Sequence, residues 1–220
     1  NFLKPLKQYT DHSWNLLTIC AMNHLEIQKH KALIDQFVYN RLNQQIGILR
    51  DPEILNTSHL LIAVDFSSHS SNSTPESSIK AIVVIEQRQL DNNCNLLPRR
   101  ISECCKLVLI GSDRQISQVD CAKLNLKKLF CVEAIWVESN LQRLGLARHL
   151  LETFRTIYSP LKNPKFSHYD DRLVENWKIA KSKIAFSNPT DEGLQFGINY
   201  LAREDHKCLV IMNDNSKYRK

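Results

Sequence analysis

The sequence predicts one domain of mixed α/β architecture, and three observations support this prediction. Apolar runs of strand length alternate along the chain with segments whose apolar residues recur every three or four positions, as in amphipathic helices. The 220 residues are 43% hydrophobic and 24% charged, which is typical of globular proteins and excludes disordered, collagen-like and polytopic membrane chains. No internal repeat and no clear linker interrupts the sequence, so we expect a single domain over residues 1–220.

The first half of the chain predicts a helix followed by an antiparallel hairpin. Apolar residues recur at helical spacing from Glu26 to Asn43, and Asp51-Pro52 then breaks the pattern. The runs Leu60–Val64 and Ile79–Ile85 have the length of strands that pair with each other. The polar stretch Ser67–Ser78 between them predicts a long hairpin loop.

The second half predicts strands that alternate with two helices. Ser139 or Asn140 is a candidate cap for a helix from about Gln142 to Tyr158. A second helix is expected to begin at Pro189-Thr190 and to run through Tyr200. The predicted strands are Leu107–Ile110, Phe130–Val137, Lys183–Phe186 and Cys208–Met212, and the segment Gln87–Cys105 is expected to be irregular.

Charge and cysteine content exclude several kinds of site. The formal charge of +6 favours contact with nucleic acid or acidic partners, but no aromatic-interleaved basic motif accompanies it, so direct DNA binding is not expected. The seven cysteines are irregularly spaced and include no C-x-x-C pair, so no metal site is predicted. We expect reduced thiols, with Cys131 and Cys208 in the core.

No membrane contact is expected from the sequence. No apolar run reaches the roughly 18–20 residues of a membrane helix, and no secretory leader is visible. Because the chain starts at Asn1, it is expected to be a fragment of a longer protein.

One glycine is placed where a phosphate-binding turn would need it. Only five glycines occur, and Gly145 lies between a predicted strand and a predicted helix, in the segment Gln142-Arg143-Leu144-Gly145-Leu146-Ala147. The first turn of a helix leaves backbone N–H groups unpaired, and these groups suit a diphosphate. Gly145 permits close approach, and Arg143 and Arg148 add positive charge. The alternative is a glycine that an amphipathic helix merely tolerates.

Two blocks resemble a known family. The run Ile135-Trp136-Val137 followed by Q-x-x-G-x-A resembles the acetyl-CoA-binding core of the GNAT N-acetyltransferase superfamily. The block Ile184–Gly193, with Tyr200 after it, resembles the C-terminal block of the Eco/ESCO cohesion-establishment acetyltransferases. The resemblance is strong over Phe130–Tyr158 and Lys183–Met212, and weaker over the predicted helix and hairpin of the first half.

The resemblance implies both a fold and an activity. The fold is a GNAT-like, mostly antiparallel central sheet flanked by helices, with residues 1–125 as its N-terminal helix and hairpin portion and residues 126–220 as the acetyl-CoA-binding core and C-terminal block. The activity is that of a nuclear, chromatin-associated protein-lysine N-acetyltransferase that uses acetyl-CoA. Its implied substrate is the SMC-type subunit of cohesin, with replication-fork or chromatin proteins as further partners. Compared with the family, Ser67–Ser78 is an extra loop and Ser159–Lys181 is longer than the corresponding loop.

The resemblance also assigns residues to the acetyl-CoA site. Backbone groups of Ile135 and Val137 would hold the pantetheine arm and the thioester carbonyl, on a strand that splays from its neighbour, and Trp136 would pack beside the cofactor. The residues implied in pyrophosphate binding are Gln142, Arg143, Leu144, Gly145, Leu146, Ala147 and Arg148.

Four residues match catalytic positions of the family, and each has an alternative role. Glu152 is the candidate base, or a solvated helix glutamate. Asn188 stands where many family members have Asp; its amide cannot accept a proton, but it could orient the amine or form an Asx turn before Pro189. Ser187 could bind the substrate lysine or cap the following helix. Tyr200 could protonate the CoA sulfur or serve as a core tyrosine.

Two other functions remain open from the sequence. One is a GNAT enzyme with a different amine substrate, which the block Ile184–Gly193 argues against. The other is a non-catalytic GNAT-fold module that binds chromatin, which the replacement of a carboxylate by Asn188 keeps open.

Overall fold

A computed structural model describes residues 17–22, 31–37, 58–65, 79–91, 96–97, 105–119, 127–158, 179–201 and 207–213. Contacts between Cα atoms divide the chain into two compact units. The first unit comprises Asn1–Ile85 and Ala134–Ile179, and the second comprises Glu86–Glu133 and Ala180–Lys220.

The architecture is mixed α/β, as predicted. The strands are β1 (Leu17–Met22), β2 (Ser58–Asp65), β3 (Ile79–Gln89), β4 (Cys105–Gly111), β5 (Ile116–Gln118), β6 (Lys128–Val137), β7 (Ile184–Ser187) and β8 (Lys207–Asn213). Their hydrogen-bonded order is β1-β2-β3-β6-β7-β8-β4-β5. The pairs β1–β2, β4–β5 and β4–β8 are antiparallel, whereas β6–β7 and β7–β8 are parallel. The helices are α1 (Lys31–Phe37), α2 (Leu146–Ile157) and α3 (Asp191–Leu201).

The first unit has an apolar core between its strands and α1. Strands β1 and β2 pair from Leu17 opposite Asp65 to Met22 opposite Leu60. Alternate residues of a strand point to the same face, so one face of each strand supplies the core. This core consists of Cys20, Met22, Ile34, Phe37, Leu60, Ile62, Val64, Ile79, Ile82, Val84, Ala134 and Trp136.

Helix α2 of the first unit is strongly amphipathic. Its fully or nearly buried apolar residues include Leu146, Leu150 and Phe154, which recur at the four-residue spacing of one helix face. The ring of His59 on β2 lies 6.0 Å from the Phe154 ring and 4.2 Å from the Tyr158 ring, measured between centroids. The apolar face of α2 therefore packs on β2.

The second unit has its own apolar cluster. It consists of Leu90, Leu96, Leu107, Leu129, Cys131, Ala185, Leu209 and Ile211. Arg88 on β3 is also buried: its Nη2 donates to the carbonyl oxygen of Leu97 at 3.0 Å, and its Nη1 lies 3.7 Å from Glu86 Oε2. Cys131 and Cys208 are both fully buried, which confirms their predicted core positions.

Most of the predicted elements that fall on described residues are confirmed, and three predictions were wrong. Helix α2 begins at Leu146 rather than at about Gln142, and its N-cap is Gly145 rather than Ser139 or Asn140. Residues Ser139–Leu141 form a 3-10 turn instead. The segment Gln87–Cys105 is not irregular throughout, because β3 continues to Gln89. The backbone N–H of Leu97 also donates a hydrogen bond to the Gln89 carbonyl at 3.0 Å.

Several predictions fall outside the described residues. These are the hairpin loop Ser67–Ser78, the helix predicted from Glu26 to Asn43 except for Lys31–Phe37, and the segment Ser159–Lys178. The division into residues 1–125 and 126–220 stays a prediction. None of the helices that the structure describes is long and apolar enough to cross a membrane.

Candidate active site

The first part of the candidate site is the strand–turn–helix formed by β6 and α2. Two contacts to β3 hold the end of β6: Glu138 N–H donates to the Lys80 carbonyl at 2.9 Å, and Lys80 Nζ lies 2.9 Å from Glu138 Oε2. The side-chain amide of Gln142 donates back to the Val137 carbonyl at 3.1 Å. The turn between β6 and α2 is therefore fixed at both of its ends.

Gly145 adopts a backbone conformation that explains why glycine stands here. Its φ is 94° and its ψ is 0°, in the left-handed region, and a Cβ at this position would meet no atom within 4 Å. Arg143, two residues earlier, also has a positive φ of 63°. The space above Gly145 is open, as a ligand that approaches the backbone would require.

The N-terminus of α2 presents donors and positive charge. The first helical hydrogen bond joins His149 N–H to the Gly145 carbonyl at 2.9 Å, so the N–H groups of Leu146, Ala147 and Arg148 have no acceptor within the helix. Arg143 and Arg148 are exposed. Backbone donors, a helix N-terminus and two cationic side chains together fit a diphosphate.

The residues implied in pantetheine binding lie at the end of β6. In the second unit β6 pairs with β7 from Phe130 opposite Ile184 to Val132 opposite Phe186, so Ile135 and Val137 come after the last residue that pairs with β7. Trp136 is buried, and its ring lies 5.4 Å from that of Phe37 at an angle of 74°. The Trp136 side chain therefore packs in the core of the first unit.

Glu152 lies on α2 and forms a close ion pair. Its side chain is 27% exposed, and both carboxylate oxygens lie 2.9 Å from Nη1 of Arg155. Glu152 is therefore not a freely solvated helix residue. Its role as a base stays a prediction.

In the second unit, Ser187 and Asn188 lie at the end of β7. Asn188 is exposed and has a φ of 40°, a left-handed conformation that Asn tolerates better than most residues. Its backbone N–H donates to the Ile211 carbonyl at 2.9 Å, which holds this turn against β8. Ser187 is half-buried.

The cap of α3 is Thr190, so the capping role considered for Ser187 was wrong. The hydroxyl oxygen of Thr190 accepts the Gly193 N–H at 3.1 Å, and its carbonyl accepts the first helical bond from Leu194 at 2.8 Å. Ser187 lies four positions before α3 begins, too early to be the residue at the helix boundary. The other predicted role of Ser187, contact with the substrate lysine, stays a prediction.

Tyr200 is 1% exposed on α3. Its ring stacks on that of Phe196 with centroids 5.8 Å apart, and Lys181 Nζ lies 5.1 Å from the Tyr200 ring centroid. These contacts describe a core tyrosine with a cation on its ring face. Its predicted role as an acid stays a prediction.

Comparison with protein families identifies the matching part of the chain. Residues 127–211 match the family model described as "ESCO1/2 acetyl-transferase". The match contains the Gly145 turn, α2, β7, α3 and β8 as far as Ile211. The resemblance to Eco/ESCO acetyltransferases is confirmed over this segment.

Two similar solved structures both carry the name of xEco2. The first, "Structure of xEco2 acetyltransferase domain", has 14% identity and a TM-score of 0.48, and the match covers 93% of this chain and 92% of that one. The second, described as the xEco2 acetyltransferase domain bound to a K105-CoA conjugate, has 15% identity, coverage of 88% and 92%, and a TM-score of 0.46. No curated protein matches the sequence.

Sequence reasoning also missed two residues that contact predicted site residues within the matched segment. Arg155 was not singled out, although its spacing of three residues from Glu152 is the spacing of helical ion pairs. Lys181, whose Nζ lies 5.1 Å from the Tyr200 ring centroid, was likewise not singled out. The structure brings the predicted cofactor residues and Glu152 together on one strand–turn–helix of the first unit, and it places Ser187, Asn188 and Tyr200 in the second unit. Among the residues that the structure describes, no group of three or more His, Cys, Asp or Glu could hold a metal ion.

Proposed function

We propose that this acetyltransferase transfers the acetyl group of acetyl-CoA to a lysine of the SMC-type subunit of cohesin. The observation that carries the proposal is the family match over residues 127–211, which joins the Gly145 turn and the Ile184–Gly193 block in one segment. The open, left-handed turn at Gly145 supports the use of a CoA ester, because it offers backbone donors to a diphosphate.

The residues of the first unit suit the binding of acetyl-CoA. Arg143, Arg148 and the first-turn N–H groups of α2 would hold the diphosphate through charge and hydrogen bonds. Backbone groups of Ile135 and Val137 would bind the pantetheine arm, and a donor there would polarise the thioester carbonyl. Trp136 contributes through packing rather than through direct chemistry.

The transfer itself requires a neutral amine, because a protonated amine cannot attack the thioester. A free lysine is almost wholly protonated at neutral pH, so a base has to remove the proton. The amine nitrogen forms a bond to the acetyl carbon while the carbon–sulfur bond breaks, and the amine proton passes to a base. We propose Glu152 as that base, because Asn188 carries an amide that cannot accept the proton. The leaving sulfur then needs a proton, for which Tyr200 is the candidate, and Ser187 is the candidate contact to the substrate lysine.

The direct experiment is an acetylation assay with a matched set of substrates. The protein is incubated with labelled acetyl-CoA and a peptide from the lysine-bearing head of a cohesin SMC subunit, and mass spectrometry locates the product. A peptide with a free N-terminus and no lysine, and a small polyamine, are the alternative substrates. Exclusive modification of the N-terminus or the polyamine would replace the proposed substrate with that of another GNAT enzyme.

Variants of the two candidate proton acceptors test the chemistry. Glu152→Gln keeps the size of the side chain but removes the base, so turnover should fall about 10²–10⁴-fold while acetyl-CoA affinity stays within twofold. Asn188→Asp should retain or raise the rate, because it adds a carboxylate at a family position. A full rate in Glu152→Gln would show that another group removes the proton.

A non-catalytic binding module is the second candidate function. The specific observations that favour it are the amide of Asn188, the burial of Tyr200 and the ion pair that occupies Glu152. If neither the wild type nor Asn188→Asp acetylates any substrate, while acetyl-CoA still binds, this candidate replaces the enzyme.

We further propose that the protein acts in the nucleus, on chromatin, in the establishment of sister-chromatid cohesion, with replication-fork or chromatin proteins as partners. The family resemblance supports this placement. A fluorescent fusion that stays outside the nucleus, or unaltered cohesion in cells that lack the protein, would contradict it.

A further inference from the structure

Arg155 is an unusual arginine, because it is 1% exposed on a helix whose other basic residues are not buried. Arginine is almost never fully buried unless its charge is paired. The partners of the guanidinium include a backbone carbonyl and a carboxylate. Its Nε donates to the Ile179 carbonyl at 2.6 Å, and its Nη1 lies 2.9 Å from each oxygen of Glu152.

The contact with Ile179 is reciprocal, which fixes the arginine more firmly than a single bond would. The backbone N–H of Ile179 donates to the backbone carbonyl of Arg155 at 3.0 Å, while the Ile179 carbonyl accepts the arginine side chain. The guanidinium is thus anchored by the Ile179 carbonyl, a contact that does not involve the carboxylate, and the main-chain bond holds that carbonyl beside α2. Glu152 is the more exposed partner, at 27% against 2% for the Arg155 side chain.

This difference in exposure indicates that Arg155 positions Glu152 and not the reverse. A buried group with a fixed backbone acceptor is rigid, whereas a partly exposed glutamate on a helix would otherwise sample several rotamers. A general base contributes only when its oxygen lies within hydrogen-bond reach of the proton. A rigid donor beside both oxygens selects one carboxylate orientation.

We infer that Arg155 is a positioning residue that holds the Glu152 carboxylate in the orientation needed for proton removal. The inference rests on the proposed function, in which Glu152 is the base. Lysine at this position would keep the charge, but its single ammonium cannot serve the Ile179 carbonyl and both carboxylate oxygens in one plane. Arg155→Lys should therefore release Glu152.

The experiment is a double-mutant cycle on turnover. kcat and the KM for acetyl-CoA are measured for the wild type, Glu152→Gln, Arg155→Lys and the double variant. Arg155→Lys alone should lower kcat at least tenfold with the KM within twofold. In the Glu152→Gln background it should lower kcat by less than twofold, because the group it positions is already gone.

Arg88→Lys is the matched control. Arg88 is also a buried arginine that donates to a backbone carbonyl and faces a glutamate, but it lies outside the candidate site. It should lower thermal stability and leave kcat within twofold. If Arg155→Lys lowers kcat by the same factor with and without Glu152, its role is structural and the inference is overturned.

A measurement on the wild type keeps the inference testable if Arg155→Lys does not fold or if the chain shows no turnover. In ¹⁵N-resolved NMR spectra, a clamped guanidinium gives separate Nη signals and contacts to the Glu152 side chain, and Glu152→Gln should weaken both. A freely rotating Arg155 guanidinium would overturn the inference. Absence of acetyl transfer by a wild type whose guanidinium is clamped would refute the proposed function alone.

Discussion

Replacing Gly197 by alanine tests how closely α3 approaches the strands beneath it. A Cβ at Gly197 would lie 2.7 Å from Cys208 Sγ and 3.1 Å from two ring carbons of Phe186. All three residues are buried, and the Cys208 side chain is 0% exposed. The thiol therefore has to rotate, or the helix has to move away from β7 and β8, before the methyl group fits.

Two opposing terms set the magnitude of the effect. Alanine is favoured over glycine in a helix interior by about 1 kcal/mol. An extra methyl group in a packed core costs about 1–3 kcal/mol, and a contact at 2.7 Å lies well inside the normal separation. Because the contact is so short, we take the upper part of that range, about 2–3 kcal/mol, and therefore expect Gly197→Ala to lower the free energy of unfolding by about 1–2 kcal/mol. For a chain of this size the midpoint temperature should fall by about 2–8 °C.

Thermal and urea unfolding, followed by circular dichroism, measure the change. Gly193→Ala is the matched control on the same helix, because its Cβ would meet its nearest neighbours at 3.4 Å, and it should not destabilise the protein. Cys208→Ala removes the sulfur that the new methyl group would meet. Its effect on the free energy of unfolding should therefore be more favourable by at least about 1 kcal/mol in the Gly197→Ala background than in the wild type. If Gly197→Ala is as stable as the wild type, α3 does not lie as close to β8 as the structure shows.

Three further predictions concern the turn, the core and a cap. Gly145→Asp should weaken acetyl-CoA binding at least tenfold, measured by calorimetry, because it strains a φ of 94° and adds negative charge. Gly145→Asn, which adds no charge, should have a smaller effect. Unchanged affinity in folded Gly145→Asp would contradict the placement of the diphosphate at this turn. Burial raises the pKa of Cys20 from 9.0 to about 11. The pKa of this thiol is higher in the folded than in the unfolded state. Its contribution to the free energy of unfolding is therefore fully present below pH 9 and is lost as the pH rises towards 11. Urea unfolding should show a loss of about 2–3 kcal/mol that Cys20→Val abolishes, and an equal loss in both proteins would contradict the assignment. Thr190→Ala should cost about 1 kcal/mol and Thr190→Ser little, and equal melting of all three would show that the cap contributes nothing.

The sequence predicts the fold best where apolar runs are long. Strands such as Leu60–Val64 and Phe130–Val137 carry β-branched or aromatic residues in an uninterrupted run, and local pattern is enough to find them. β1 has no such run, since its LTICAM sequence mixes residues of different preference. β5 has only three residues and forms through its pairing with β4, which is a tertiary contact. Local pattern therefore missed both strands.

The site was predicted less completely, for reasons that lie in backbone conformation and tertiary contact. The start of α2 was placed too early because the left-handed conformation of Arg143 cannot be read from an arginine. The burial of Arg155 depends on Ile179, which lies 24 residues further along the chain, so no local pattern reveals it. By contrast, Gly145 was found because glycine is scarce and its position after a strand is distinctive.

The backbone pair between Arg155 and Ile179 has a consequence for insertions and deletions in the gene. These residues are 24 positions apart, yet the Ile179 N–H donates to the Arg155 carbonyl and the Arg155 side chain donates to the Ile179 carbonyl. The chain therefore returns at Ile179 to the end of α2. Doubling or halving the intervening length would change the entropy of loop closure by only about 0.6 kcal/mol. The cost in loop-closure entropy of gaining or losing residues between these two anchor points is therefore small, whereas the same change between Val137 and Leu146 would displace the Gly145 turn.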